Sequence, residues 1–143
     1  MLAVMSEGFR TFDHTGDLGL EVWAESPARL YARAAEAVMA QLAEVGGAAA
    51  EVERTLRLSG DDPADLLIHW LNSALLEAEL AGAVWNAAEV RRLTATSLEA
   101  VLRGPRLGPG GPVRLREVKA VSHHGLVLEL AGPVCRCRLV LDL

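Results

Sequence analysis

A chain of 143 residues is close to the usual size of one domain and can bury one substantial hydrophobic core. Apolar residues make up 51% and charged residues 23%, which excludes a disordered chain. A net charge of −5 argues against a broad nucleic-acid-binding surface, and no apolar run reaches the roughly 20 residues that cross a bilayer. The opening residues lack a basic n-region, so we expect no signal peptide and a cytoplasmic protein.

The first third of the chain has the pattern of a β-hairpin followed by a helix. Residues 9–13 and 18–25 predict two strands, and apolar and polar side chains alternate in the second, as in a sheet with one buried face. Ser26 and Pro27 predict a helix start, with serine as the N-cap and proline at the first helical position. Apolar residues spaced by four mark the buried stripe of this helix, which glycines 46 and 47 end.

The rest of the chain predicts one more helix among a series of strands. Residues 51–58 predict a strand, and Asp62 and Pro63 begin a second helix that continues to Gly82. Further strands are predicted at residues 84–93, 97–102, 113–121, 126–130 and 134–141. We therefore expect one α+β domain over residues 1–143, with two helices packed on a mostly antiparallel or mixed β-sheet.

Two features of the second half have both a plain and a functional interpretation. The Gly/Pro-rich residues 104–112 are either a loose connection, which we favour, or a mobile hairpin tip. Cys135 and Cys137 point to the same face of a strand, where a spacing of two is unfavourable for an internal disulfide. We interpret them as core residues, with a weak metal-binding motif as the alternative.

The most polar turn of the chain is Asp13-His14-Thr15-Gly16-Asp17. Hard cations such as Ca²⁺ and Mg²⁺ prefer carboxylate and carbonyl oxygens, which this turn supplies. Gly16 permits a positive φ and lets the chain fold back on itself. A metal role for Asp17 and a plain turn both fit the sequence, and His14 either orients a carboxylate, ligates a softer metal or hydrogen-bonds the turn.

Four further polar residues occur in the last quarter of the chain. His123 and His124 precede Gly125 at a predicted turn between strands. Adjacent side chains of an extended chain point in opposite directions, so at most one of the two histidines faces a given site. We select His124 because it is next to the glycine. Lys119 is the only lysine among 14 basic residues. Asp142 follows an apolar strand, where a carboxylate normally has a partner. Lys119 or a metal ion would serve as that partner.

Four segments, in chain order, resemble the archease family. The opening strand, D-H-T-A-D-type turn, second strand and helix of that family are similar to FDHTGDLGLEVWAESPARLYARAAEAV. Its second helix, with a D-x-L-L-x-x-W-L-N pattern, is similar to DDPADLLIHWLNSALLEAEL, and its V-K-A-x-T-x-H-G hairpin to EVKAVSHHGLVLE. Its closing strand with a terminal aspartate resembles RLVLDL.

The resemblance implies a protein cofactor rather than an enzyme. Archeases activate the RtcB-type tRNA-splicing RNA ligase, a GTP-dependent enzyme of tRNA splicing and RNA repair, by promoting guanylylation of its active-site histidine and multiple turnover. The expected partner is thus this ligase, with GTP and tRNA reached only through it, no membrane and no strong direct nucleic-acid binding.

The resemblance also implies which residues carry the site. The family metal site, for Ca²⁺, Mg²⁺ or Mn²⁺, matches Asp17, Asp142 and Leu143, the last through its main-chain or terminal oxygens. The hairpin lysine that is important for activation matches Lys119. We expect supporting roles for Asp13, His14 and His124.

Two other functions fit the same residues. A free-standing metal-dependent phosphoester hydrolase would use Asp13, His14, Asp17, His124 and Asp142 and would turn over without a partner. A metal-binding, chaperone-like module would lose stability, rather than a specific partner, when the acids are replaced.

Overall fold

The computed structural model describes residues 7–143, so most of the opening segment that bears on a signal peptide lies outside the described residues. The elements in chain order are β1 (Gly8–His14), β2 (Asp17–Ala24), α1 (Pro27–Leu42), β3 (Ala43–Glu44), β4 (Val52–Ser59), α2 (Pro63–Ala81), β5 (Ala87–Leu93), β6 (Ser97–Gly104), β7 (Val113–Arg114), β8 (Ala120–Glu129) and β9 (Cys135–Asp142). Neither helix within this range is long and apolar enough to cross a membrane.

The strands of residues 7–143 form three antiparallel sheets. Sheet A has four strands in the order β1-β2-β9-β8, sheet B pairs β3 with β7, and sheet C has the order β4-β6-β5. The α+β class is confirmed, but the strands divide among three sheets where the sequence suggested one. Both helices contact sheet A, α1 through β2 and α2 through β8.

Buried aromatic residues join the two helices to each other and to the core. The indole N–H of Trp70 in α2 donates a 2.8 Å hydrogen bond to the carbonyl of Tyr31 in α1, and the Tyr31 hydroxyl donates to the carbonyl of Pro63 at 2.6 Å. Burial raises the pKa of Tyr31 above its ordinary value. The Trp85 indole N–H donates to the carbonyl of Ala74 at 3.0 Å. These polar atoms are satisfied inside the core, which fixes the relative position of α1 and α2.

The helix starts follow the predicted chemistry. The Ser26 hydroxyl accepts a hydrogen bond from the Arg29 N–H at 3.2 Å, and the Asp62 carboxylate accepts one from the Asp65 N–H at 2.8 Å. Helix α2 also ends as predicted, at Gly82 with a left-handed φ of 61°. Local capping chemistry therefore determines three of the four helix ends.

Helix α1 ends earlier than predicted, at Leu42 rather than at the glycine pair. The next two residues enter β3 and pair with β7 in sheet B. The Leu115 N–H donates to the carbonyl of Leu42 at 2.9 Å, and the Arg116 guanidinium donates to the carbonyl of Gln41 at 3.0 Å. A distant segment of the chain thus binds the carbonyl end of α1 and replaces the next helical turn.

The same contacts correct the predicted strand at residues 113–121. Only Val113 and Arg114 form β7, residues 115–119 are irregular, and β8 begins at Ala120. The predicted strand at residues 84–93 is also too long at its start, because the Val84 N–H bonds the carbonyl of Pro105 and β5 begins only at Ala87.

The turn predicted at His123-His124-Gly125 is wrong, and residues 126–130 are not a separate strand. Strand β8 is continuous through this region and pairs Ser122 with Val140 and Val127 with Arg138, so residues 123–126 lie opposite Leu139 alone. The three extra residues form a bulge, which increases the bend of the strand. Gly125 allows it with a φ of 74°.

Candidate functional site

Two aspartates lie on neighbouring strands at one end of sheet A. Strand β2 begins at Asp17 and β9 ends at Asp142, and the last registered pair between these strands is Leu18 with Leu141. Asp17 and Asp142 are the next residues outward on each strand. Because side chains alternate along a strand and opposed residues share a face, both carboxylates lie on the face away from the buried Leu141. We call Asp17 and Asp142 the acidic tip.

His14, the last residue of β1, joins the acidic tip. It is paired with Asp17 across the hairpin turn, and its Nδ1 lies 3.7 Å from Asp17 Oδ2. This ring nitrogen is buried and has no hydrogen-bond partner within residues 7–143. An unpaired buried polar atom costs free energy, and a water molecule or a bound polar group beside Asp17 would satisfy it.

Lys119 reaches the same end of the sheet through its main chain. Its N–H donates a 2.8 Å hydrogen bond to the carbonyl of Asp142, and Ala120, the next residue, pairs with Asp142 in the β8–β9 register. The side chain of Lys119 is exposed. The main chain of Lys119 is thus fixed one residue outside β8, at the same end of sheet A as Asp142.

Asp13 is not part of this group. It pairs with Leu18 in the β1–β2 register, and its exposed side chain lies on the opposite face of sheet A from Asp17. The register of the β1–β2 hairpin separates the two acids of the polar turn. Asp17, the last residue of the turn, therefore belongs to the acidic tip, and Asp13, the first residue, does not.

His124 also lies apart from the acidic tip. It is in the β8 bulge, four residues beyond Ala120, and its main-chain N–H donates to the Ser122 hydroxyl at 3.0 Å. Its neighbour His123 turns the other way, and the imidazole Nε2 lies 3.6 Å from Asp65 Oδ1 in α2. The N–H of Asp61 and, more weakly, His123 hold the pKa of Asp65 below its ordinary value.

The acidic tip has the chemistry of a site for a hard divalent cation. The Asp17 and Asp142 carboxylates and the main-chain oxygens of Leu143 are oxygen donors, as Ca²⁺ and Mg²⁺ require. No three His, Cys, Asp or Glu side chains of residues 7–143 come together in a metal-binding arrangement. The side chains thus offer two carboxylates, and the remaining ligands would be main-chain oxygens, water or a partner's groups. Mg²⁺ sites commonly combine one or two carboxylates with phosphate in this way.

Sequence reasoning missed a contact that holds the Lys119 segment from the other side. The side-chain amide of Asn72 in α2 donates to the Val121 carbonyl at 3.1 Å and accepts from the Val121 N–H at 2.8 Å. The signal in the sequence is an asparagine within an apolar stretch of a predicted helix, where this residue is unfavourable unless its amide has partners.

The two cysteines are core residues, as the plain interpretation expected. Cys135 and Cys137 are free thiols that are 2% and 1% exposed. Burial raises the pKa of Cys135 and brings that of Cys137 to about 12. Buried neutral thiols are poor nucleophiles and poor metal ligands, so they add nothing to the acidic tip.

Comparison with known proteins gives a consistent family assignment. The archease protein family (MTH1598/TM1083) matches residues 9–143. The archease of Methanopyrus kandleri is 29% identical over 120 residues, which cover 82% of this chain and 86% of the relative. The archease of Sulfurisphaera tokodaii is 25% identical over 139 residues, covering 94% of this chain and 98% of the relative.

Solved structures share the fold. The solution structure of protein 1598 from Methanobacterium thermoautotrophicum has a TM-score of 0.78 at 23% identity, covering 95% of this chain and 99% of that one. The crystal structure of an archease, described as a possible chaperone, from Thermotoga maritima has a TM-score of 0.65 at 21% identity, with coverages of 94% and 96%. Because the family match extends over nearly all of the sequence, the chain belongs to the archease family.

Proposed function

We propose that this protein activates an RtcB-type tRNA-splicing RNA ligase, by promoting guanylylation of the ligase's active-site histidine and supporting multiple turnover. Membership of the archease family supports the proposal. The observation that carries it is the position of Asp17 and Asp142 on one face of neighbouring strand ends, with Lys119 hydrogen-bonded to Asp142 through the main chain. Two carboxylates and the main chain of the only lysine thus meet at one end of sheet A.

The acidic tip would act by positioning and by charge. Asp17, Asp142 and the main-chain oxygens of Leu143 would hold a divalent ion, which supplies charge neutralisation for nucleotide phosphates. Lys119 would contact a phosphate oxygen or an acidic group of the ligase. His14 would hold the Asp17 carboxylate in place from β1. Groups fixed on strand ends lose little freedom when the complex forms, which favours catalysis by orientation.

A guanylylation assay tests this function directly. The protein is mixed with an RtcB-type ligase and labelled GTP, and the covalent ligase–guanylate is measured over time. We expect stimulation by the natural sequence and a large loss of stimulation in Asp17→Asn and Asp142→Asn, which remove a negative charge at nearly constant volume. The matched control is Asp61→Asn, an exposed acid in the turn before α2 that lies in a different part of the chain. Full stimulation by folded Asp17→Asn and Asp142→Asn would refute the proposal.

The other two functions predict different results. A phosphoester hydrolase would turn over its substrate without ligase. The five residues that it would use do not form one site, because they are divided between two faces of sheet A and the β8 bulge. A chaperone-like module would show a lower melting temperature in Asp17→Asn and no effect on a ligase. The proposed location of the protein is the cytoplasm, where it would bind the RtcB-type ligase.

A further inference from the structure

Strand β8 forms an edge of sheet A, and Asn72 closes part of that edge. The side-chain amide of Asn72 makes two hydrogen bonds to the main chain of Val121, at 2.8 and 3.1 Å. The Asn72 carboxamide donates to the C=O of Val121 and accepts from its N–H. These are the same two hydrogen bonds that a neighbouring antiparallel strand would make with Val121. Helix α2 therefore takes the place of a fifth strand at this single position.

Asn72 is unfavourable for helix stability at its position in α2, so its hydrogen bonds to Val121 must compensate for that loss. It lies in the middle of α2 (Pro63–Ala81), next to the buried Leu71. Asparagine lowers helix propensity because its amide competes for main-chain partners. Leucine or alanine would suit this position better if only helix stability and burial counted. The two bonds to Val121 are the gain that the structure shows for this cost.

The segment that Asn72 holds has few other restraints. Strand β8 pairs with β9 only at Ala120, Val121 and Ser122 before the register breaks at the bulge. Residues 115–119 upstream form no strand, and they are held by the bonds of Leu115 and Arg116 to the end of α1 and by the bond of the Lys119 N–H to Asp142. Lys119 lies between the buried Val118 and Val121, which are 7% and 2% exposed. One side of this short segment is thus held by β9, and the other side by Asn72.

We propose that Asn72 is a positioning residue for Lys119. By fixing Val121 against α2, it holds the start of β8 in register with β9, and the register places the Lys119 N–H on the Asp142 carbonyl. Asn72 itself bonds Val121 and is not part of the acidic tip. The inference that this matters for ligase activation rests on the proposed function, whereas the positioning itself does not.

The effect of Asn72 on the position of Lys119 is measured by NMR, in the absence of the ligase. Lys119 is the only lysine of the chain, so reductive ¹³C-methylation gives its ammonium a resolved NMR signal beside that of the N-terminal amine. In Asn72→Ala we expect this signal to shift and narrow and the Lys119 amide to exchange with solvent about tenfold faster, the effect of losing about one hydrogen bond's net free energy. Asn72→Asp, which keeps the acceptor for the Val121 N–H and loses the donor, should give an intermediate change.

The matched control is Asn86→Ala. Asn86 is the only other asparagine, and its amide donates one 3.2 Å bond to the carbonyl of Ala48, away from β8. We expect the Lys119 signal and the Lys119 amide exchange to be unchanged in this variant. If Asn72→Ala behaves like Asn86→Ala at Lys119 while its melting temperature falls, Asn72 only stabilises the fold and the proposal is wrong.

A double-mutant cycle connects the positioning to activation. If Asn72 acts through Lys119, Asn72→Ala lowers guanylylation severalfold in the natural sequence and has no further effect in a Lys119→Ala background. Losses that multiply would overturn the proposal, because Asn72 would then act by another route. If the natural protein does not stimulate a ligase at all, the proposed function fails, and the NMR and exchange results still decide whether Asn72 positions Lys119.

Discussion

The main-chain N–H of Lys119 donates a 2.8 Å hydrogen bond to the main-chain carbonyl of Asp142, the last residue of β9. This bond uses no side-chain atom of either residue. The backbone therefore sets the distance between the two positions, and both charged groups stay available for a second molecule. Replacing either side chain should then change the chemistry of the site and leave the fold intact.

Lys119→Ala tests this separation of fold and chemistry. Because the side chain is exposed, we expect the free energy of unfolding to stay within about 0.5 kcal/mol of the natural value. Stimulation of ligase guanylylation should be largely lost. Lys119→Arg keeps the charge but spreads it over a wider planar group, so we expect only partial activity. Urea unfolding and the guanylylation assay measure the two effects, and a stable, fully active Lys119→Ala would contradict a role for the ammonium group.

Gly104→Ala should damage the fold far from the acidic tip. A Cβ at this position would lie 1.7 Å from the main-chain carbonyl oxygen of Val84, and a Cβ is fixed in direction by its own Cα. Neither can rotate away, so we expect a loss of about 3 kcal/mol in the free energy of unfolding, at the upper end for overpacking. Circular dichroism during urea unfolding measures it.

Gly47→Ala is the control for this substitution. A Cβ at Gly47 would have no heavy atom within 4 Å, and its φ is not in the left-handed region. We expect a change of less than about 1 kcal/mol, and a stabilising one, because alanine restricts the unfolded chain more than glycine does. Equal losses in the two variants would mean that the close approach to Val84 is not what requires glycine at position 104.

Local chemistry made much of the fold predictable. The Ser26 and Asp62 caps, the glycine at position 82 and the alternation along β2 each depend on a few neighbouring residues, and all occur where the sequence indicated. The end of α1 was not predictable in this way. It depends on bonds from Leu115 and Arg116, which lie more than 70 residues further along the chain.

The candidate site was likewise predictable in part. The sequence indicated Asp17, Asp142 and Lys119 as companions, and the register of sheet A brings their positions to one end. It could not show that Asp13 faces the other way, because that requires the exact strand bounds of the hairpin. Nor could it show the β8 bulge, since a glycine after two polar residues fits a turn and a bulge equally well.

The thiols of Cys135 and Cys137 should be unreactive in the folded protein. Both are buried, and the Cys135 thiol donates to the carbonyl of Leu130 at 3.3 Å. Burial raises both pKa values, that of Cys137 to about 12, so little thiolate forms near neutral pH. We expect an aromatic disulfide reagent to titrate no thiol before denaturant is added and two thiols afterwards. Rapid reaction of the folded protein, or fewer than two thiols after unfolding, would contradict this.

The ion pair of Glu7 and Arg29 should make stability depend on acid pH. The Arg29 guanidinium donates two hydrogen bonds to the Glu7 carboxylate, and these hold the pKa of Glu7 below its ordinary value. The folded state therefore binds the Glu7 proton less readily than the unfolded state does. The resulting stabilisation is fully present above the unfolded pKa and is lost as the pH falls through the lower, folded pKa.

Glu7→Gln should accordingly lower the free energy of unfolding at neutral pH and have no such effect in strong acid. Both side chains are partly exposed, with 29% and 47% of their surfaces accessible, so solvent screening limits the loss to about 1 kcal/mol at most. Urea unfolding at a series of pH values between about 7 and about 3 measures the difference from the natural sequence. Glu25→Gln, at an exposed acid that follows β2, is the control for a change of net charge alone. A Glu7→Gln difference that persists unchanged below the folded pKa of Glu7 would show that packing, and not the charge of Glu7, is what stabilises this contact.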